Sequence, residues 1–477
     1  MKQFFLGTLR MKRLLAIGSL VSLASIGACG SGPDLTKTAP DVAIVDVAPG
    51  NVGNSNCGAG CGFISGFAVG SSGVYSMFDV QGGTGTLLPQ LKTVDFASHS
   101  VLTSSWTPIV AANGTGATST DYDIVSSSDH QLFWAGTPVT NNSAGANATE
   151  ITIYSSTESS LQTPNAIASF VATLPTVDTG SSNGNGNDGG AGGNTGSNAG
   201  GLYLVGLAAD PDAIYVEYTQ DGQQTNGGAN QTTPDSQSYP GAGSPIETRD
   251  VGVIAQIMRS APQAAPKSVS SFFVLPNSAI HSLAQSSKEL YFADEGQANN
   301  PSNQVRVLSL TKIPFGTTPN VVGALTLSDS AGATVVGIAA NDTNVAWAVS
   351  YLSAQPYGCV IFGSAHDGLM QKLYDGRKPG ASNGGPAPLS GCSGLAVDDT
   401  YAYVAITDTI STSNGGNQIV TVGSGIARVP LAGGPLQIVS LQSQEWYGPR
   451  RVFVDATYVY AVDPNYVARF AKSDFGP

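Results

Sequence analysis

The groups able to do chemistry are few and scattered. Histidine occurs four times, as His99, His130, His281 and His366, and each reads as a turn or surface residue. No HExxH zinc motif and no GxSxG nucleophile elbow occurs, so neither a zinc protease nor an α/β-hydrolase site is written in the chain. The acids Asp129, Asp210, Asp212, Asp342, Asp398, Asp399 and Asp455 fall in one kind of place, a short polar turn between apolar runs. Carboxylates there could ring one mouth of a channel and hold Ca²⁺ as hard oxygen ligands. Their recurrence at the same turn favours a plainer role, because Asp and Asn cap their own backbone and tolerate left-handed geometry. Gly184-x-Gly186-x-x-Gly189 spells a dinucleotide fingerprint, but it sits in a Gly/Asn run instead of between a strand and a helix. Asp188 stands alone there, whereas calcium-binding nonapeptides need a recurrent Asp, so the run reads as a flexible linker. The sequence therefore assigns no catalytic, cofactor-binding or metal-binding residue and implies no cofactor.

The N-terminus carries an address. Lys2, Arg10, Lys12 and Arg13 precede an apolar stretch from Leu14 to Ala28, and the first acid is Asp34. Met11, followed by Lys12 and Arg13, would serve as a start as well as Met1 does. The stretch is shorter than the roughly 20 residues of a membrane span and suits a secretory leader. It ends in Ile26-Gly27-Ala28-Cys29 and continues with Gly30-Ser31, which resembles a bacterial lipobox. The resemblance implies cleavage after residue 28, acyl chains on Cys29, a tether over residues 29–40 and anchoring in the membrane. With Gly30 at the second mature position and not Asp, it favours the outer membrane, periplasmic or surface-exposed.

Five cysteines are present: Cys29, Cys57, Cys61, Cys359 and Cys392. Setting Cys29 aside for lipid leaves an even number in an oxidising compartment. Three pairings are open; the local closures Cys57–Cys61 and Cys359–Cys392 are favoured. A metal site with Cys57-x-x-x-Cys61 as half would need two more soft ligands nearby, and no such pair is evident.

Composition narrows the classes further. The 477 residues carry a net charge of −13 with only 11% charged residues, which argues against nucleic-acid binding, since a phosphate backbone needs clustered positive charge. With 59 Gly and 27 Pro, the breaker share stays below the roughly 25–30% of disordered chains but is too high for long helices or coiled coils.

What must position any site is a repeated unit. The plainest copy is SGLAVDDTYAYVAIT at Ser393–Thr407, and others begin at Ser65, Tyr122, Val205, Ile280, Val336 and Arg450. An anchor pair spaced by seven runs through all copies: Ala68/Tyr75, Ser126/Phe133, Ala208/Tyr215, Ala284/Tyr291, Ala339/Ala346, Ala396/Tyr403 and Phe453/Tyr460. Each copy reads as a β-hairpin, and two more strand-like runs follow most copies. A four-stranded blade has two faces to bury; packing seven of them radially buries both. The seventh copy is followed by only one strand, from Tyr466, while a spare apolar run, Asp41–Ala48, precedes the first. That run is predicted to complete the last blade, since an open ring would leave an unpaired edge. The aromatics Tyr215, Tyr291, Tyr403 and Tyr460 are predicted to pack between blades and not to form a sugar platform.

The phrases GLAVDDTYAYVAI, IARVPLAGG and VFVDATYVYAV resemble the NHL-like propeller repeats of secreted proteins from myxobacteria and similar soil bacteria. The expectation is an all-β, seven-bladed β-propeller over residues 41–477, with four-stranded antiparallel blades, closed by an N-terminal strand. Disordered insertions are expected near 179–200 and 220–249, extending loops around blades 2 and 3. The functional expectation is a monomeric, lipid-anchored binding or scaffold module for a protein or glycan partner. The alternative is a metal-dependent hydrolase or lyase using channel carboxylates.

Overall fold

The structure is a computed structural model that describes residues 34–36, 41–44, 62–81, 87–96, 100–103, 122–136, 150–172, 202–220, 250–274, 283–295, 304–330, 333–351, 358–365, 370–377, 391–407, 409–411, 419–421, 425–440, 451–463 and 466–475. Short runs of β-branched and aromatic residues alternate with polar turns, and each run forms a strand. Two strands, β1 (Asp34–Thr36) and β2 (Asp41–Ile44), come first. Blade 1 is β3 (Gly62–Val69), β4 (Val74–Gln81), β5 (Leu87–Asp95) and β6 (Ser100–Thr103). Blade 2 is β7 (Tyr122–Ser126), β8 (Gln131–Gly136), β9 (Glu150–Thr157) and β10 (Ser160–Val171). Blade 3 is β11 (Leu202–Ala209), β12 (Ala213–Gln220), β13 (Asp250–Met258) and β14 (Lys267–Val274). Blade 4 is β15 (Ala284–Gln285), β16 (Glu289–Asp294), β17 (Arg306–Thr311) and β18 (Asn320–Ala324). Blade 5 is β19 (Ala333–Ala340), β20 (Asn344–Tyr351), β21 (Gly358–Ala365) and β22 (Gln371–Asp375).

Blade 6 is β23 (Gly391–Val397), β24 (Tyr401–Thr407), β27 (Gly425–Pro430) and β28 (Gln437–Ser440), with a side hairpin of β25 (Thr409–Ser411) and β26 (Ile419–Thr421) between its second and third strands. Blade 7 has β29 (Arg451–Val454), β30 (Tyr458–Val462) and β31 (Tyr466–Ala471) from the C-terminus, and takes β2 as its fourth strand. β2 runs antiparallel to β31, with Asp41 opposite Arg469 and Ile44 opposite Tyr466. The chain is thus a seven-bladed β-propeller closed by an N-terminal strand, as the repeat arithmetic predicts. Ile44 also bridges to Ser100 of β6, joining the rims of blades 7 and 1. β1 adds a fifth strand to blade 6, parallel to β28.

The core consists of slabs between blades. One cluster joins blades 1 and 2 (Met77 with Trp134), another blades 2 and 3 (Ile153 with Val216), and so on round to blades 7 and 1 (Tyr460 with Phe67). Each slab needs both of its blades, which is why no repeat buries its faces alone.

The first strands of adjacent blades line the axis and approach closely. Their packing depends on glycines two residues before the Ala anchors. A Cβ on Gly337 of β19 would lie 2.8 Å from the Leu395 amide of β23, a contact that backbone cannot yield. A Cβ on Gly66 or Gly206 would meet side-chain atoms of the next blade, Ile124 Cγ2 at 2.9 Å and Leu283 Cβ at 2.7 Å. The strands carrying these glycines all shift register beside them, a bulge that lets a blade taper toward the axis.

A disulfide between Cys359 of β21 and Cys392 of β23, with Cα atoms 6.0 Å apart, staples blade 5 to blade 6. Cys29, Cys57 and Cys61 lie outside the described residues, as do the leader, the Gly/Asn run with Asp188, and His99, His281 and His366.

One detail of the repeat is corrected. Six anchor pairs are cross-strand partners at the offset of seven. In blade 2, however, Phe133 pairs with Val125 and Ser126 pairs with Leu132. The turn of blade 2 holds one extra residue, His130, at φ 63°. A left-handed residue absorbs the insertion without disturbing the strands.

Candidate functional site

The first turns of the blades, with the third turns of blades 2, 3, 4 and 6, lie on one face of the wheel, and this face gathers the turn acids singled out in the sequence. The carboxylates sit there for a local reason. Asp398 Oδ1 accepts the amides of Thr400 and Tyr401, both at 2.8 Å, and its Oδ2 accepts the Tyr403 hydroxyl at 2.8 Å. Asp455 does the same with Thr457, Tyr458 and Tyr460, and Asp210 with Asp212, Ala213 and Tyr215. In blades 4 and 5 Ser286 and Asn341 take the capping place. A turn acid and the aromatic five residues later are thus one unit, the first shaping the turn and the second seating the strand.

The same acids also cross the gaps between blades. Between blades 2 and 3, Asp129 receives Arg259 at 2.7 Å. Asp210 receives Lys312 of blade 4 at 2.6 Å, and Asp398 receives Lys472 of blade 7 at 2.8 Å. Asp342 of blade 5 accepts the Ser287 amide of blade 4 at 2.7 Å, and Asp399 of blade 6 accepts Asn341 Nδ2 of blade 5 at 3.1 Å. Between blades 1 and 2 the acceptor is Glu158, which takes the Ser72 amide at 2.9 Å and the hydroxyls of Ser71 and Ser126. The closing junction is held by rings instead: Phe67 lies 4.9 Å from Phe453, Phe96 lies 5.9 Å from Tyr460, and Arg469 caps Phe96.

Electrostatics follow from these contacts. The hydrogen bond from Arg259 holds the Asp129 carboxyl below its usual range. Burial pushes Glu158, Asp210 and Asp398 upward, but their hydrogen bonds outweigh it and all three sit low. Burial raises Tyr215, Tyr291, Tyr403 and Tyr460, and the acids beside their hydroxyls add to the rise. The aromatics are buried between blades, as predicted, with Tyr403 against Phe475 at 5.8 Å.

Ser71, His130 and Glu158 converge in a way the sequence does not suggest. His130 Nδ1 contacts Ser71 Oγ and lies 3.8 Å from Glu158 Oε2, while Ser71 Oγ donates to Glu158 at 3.0 Å. In a nucleophilic triad the imidazole bridges serine and acid through its two different nitrogens. Here one nitrogen faces both partners, so the group lacks that relay geometry and links blades 1 and 2. Among the described residues, no three His, Cys, Asp or Glu side chains gather as a metal-holding group. The oxygens of Asp129, Asp210, Asp398 and Asp455 already serve amides, hydroxyls or cationic side chains, an arrangement that fits the capping reading of the turn acids.

The sequence reading missed Glu158, Arg259, Lys312 and Lys472. A signal exists for three of them: a cation directly follows the third strand in QIMR, SLTK and FAK. The reading also missed acids buried toward the other face. Asp294 pairs with Arg306, and Glu295 Oε1 accepts the Val335 amide of blade 5 at 2.8 Å.

No family model matches the chain, and no curated protein does. Among solved structures it is similar to an acylaminoacyl peptidase of Pyrococcus horikoshii, with 6% identity and TM-score 0.44, covering 87% of this chain and 53% of that one. It is similar to the β-propeller domain of the Trilobed protease from Pyrococcus furiosus, with 5% identity and TM-score 0.44, covering 88% and 98%. It is also similar to the polysaccharide lyase Uly1, with 10% identity and TM-score 0.45, covering 89% and 92%. The chain spans about half the length of the peptidase it matches. At such identities the likeness concerns the fold alone.

Proposed function

We propose that this β-propeller is a lipid-anchored envelope protein that binds a protein or glycan partner without catalysis. The observation that carries the reading is the inequality of the two faces. On the laced face the connections are short, from tight turns such as 398–400 and 455–457 to the links 259–266 and 312–319. On the opposite face emerge the long connections: 104–121, 137–149, 173–201, 221–249 and 408–424. Variable loops on a rigid frame are where recognition resides. A hydrolase or lyase built on the turn acids would need those oxygens free for a cation, and they are engaged in holding the wheel together. The leader, the lipobox-like Ile26–Cys29 and the resemblance to NHL-like repeats support the envelope setting.

The test is to capture partners of the acylated protein in its own envelope by reversible crosslinking, alongside a glycan array. The comparison is a chain in which 221–249 is replaced by a short Gly-Ser turn. The expected result is a partner or glycan lost in the shortened chain at unchanged Tm. Turnover of a lactone or polysaccharide that a chelator abolishes would establish the metal-enzyme reading instead.

A further inference from the structure

We propose that blade 6 is the rim of the wheel that lies against the lipid surface, so that the wheel is held on edge. The proposal rests on the reading that Cys29 carries acyl chains.

The argument starts from β1. Asp34 pairs with Gln437, Leu35 with Ile438 and Thr36 with Val439, parallel to the outermost strand of blade 6. Asp34 therefore stands beside the exposed turn 432–435, at the rim of that blade and at the laced-face end of β28. From Asp34 back to Cys29 the chain has five residues to spend, and fully extended it spans at most about 18 Å. Acyl chains on Cys29 lie in the bilayer, so this rim cannot stand far from it. Without β1, the first fixed point would be Asp41 in blade 7, and the free tether would reach about 40 Å. The added strand removes most of that slack and selects one edge.

In a ring of seven, blades 2 and 3 stand across the axis from blade 6. Two blades of four strands at about 4.8 Å spacing, plus the axis, put the far rim on the order of 40 Å away. The two longest connections, 173–201 and 221–249, leave the wheel at these far blades. The strand ends that these connections join thus stand on the aqueous side while blade 6 meets lipid.

The experiment uses the full acylated protein in vesicles of phosphatidylethanolamine and phosphatidylglycerol with an acceptor dye on a fraction of the headgroups. A donor dye is attached through Ala432→Cys in the blade 6 turn or through Ser270→Cys, exposed on β14 of blade 3. The parent chain is labelled in parallel to correct for its own cysteines. Energy transfer from position 432 should exceed that from position 270 at least twofold. A Gly-Ser insert of about 30 residues between Gly30 and Ser31, with an r.m.s. reach of about 30 Å, should make the two equal. Equal or reversed efficiencies with the natural tether overturn the proposal. The mass of the N-terminal peptide, measured first, separates the two failures. An unacylated Cys29 removes the anchoring reading itself, whereas acylated Cys29 with equal transfer removes only the orientation.

Discussion

The Lys472 ammonium, just past the third strand of blade 7, lies 2.8 Å from Asp398 Oδ2 in the first turn of blade 6. That carboxylate already caps its own turn and receives Tyr403, so one side chain shapes a turn, seats a strand and ties two blades. Asp210 repeats the arrangement with Tyr215 and Lys312. The laced face is therefore a belt of short-range electrostatic fasteners around slabs held by apolar burial.

Replacing Asp398 removes the cap and the fastener together. Losing a cap costs about 1 kcal/mol, and an ion pair with both partners about one-fifth exposed adds up to about 1 kcal/mol. Asp398→Ala is expected to destabilise by about 1–2 kcal/mol in urea unfolding. A double-mutant cycle with Lys472→Met should return a coupling of about 0.5–1 kcal/mol. A coupling of zero would show that the pair carries no energy.

Acid should loosen the belt. Asp129, Glu158, Asp210 and Asp398 are all held below the ordinary carboxylate range. A depressed folded pKa gives stability that is present above the unfolded value of about 4 and is lost as pH falls through the folded values. The urea midpoint should therefore hold between about pH 5 and 7 and fall below about pH 4. Asp398→Asn should show a shallower fall. An identical profile would remove Asp398 from the account.

Alkali tests the buried phenols. Burial, with the Glu158 charge nearby, pushes Tyr75 up to about 12. Burial likewise raises Tyr351 to about 12, with Arg377 opposing and Asp329 and Asp375 adding. A raised folded pKa gives stability that is complete below the unfolded value of about 10 and disappears as pH rises through the folded one. Stability should decline between about pH 10 and 12, and phenolate absorbance should lag that of unfolded chain. Full ionisation near pH 10 in the folded state would contradict the packing of these rings.

The approach of strands along the axis can be tested with single methyl groups. Gly337→Ala puts a Cβ 2.8 Å from backbone nitrogen of the next blade, and should cost about 1–3 kcal/mol by overpacking. Gly73→Ala meets nothing nearer than the Tyr75 hydroxyl at 3.5 Å and should be tolerated. Equal effects on Tm would mean that the inner strands can part at little cost.

Much of the wheel is legible because a hairpin that recurs at a steady offset leaves a trace that survives loop insertion. Ala396 and Tyr403 are recognisable as a pair since both are fixed by one short turn and one slab. The unpaired end of blade 7 and the spare run from Asp41 could be matched because edges must be satisfied. The slip at Phe133 was not legible: His130 adds one residue within a turn, and a turn tolerates that without changing the apolar pattern. Lys312 and Lys472 were missed because their partners lie in other repeats, a distance that a hairpin comparison does not span. The face of the long connections is the least legible, since the repeat constrains strands and tight turns and leaves those connections free.

The strand that completes blade 7 is made before any of the blades, and its partner β31 is made only after all the strands of the other six. The antiparallel partner of β2 is therefore absent until the other six blades have been made. A chain cut short before residue 466 would lack the strand that joins β2 to blade 7, so the circle has a single latch and cannot shut until that latch is made.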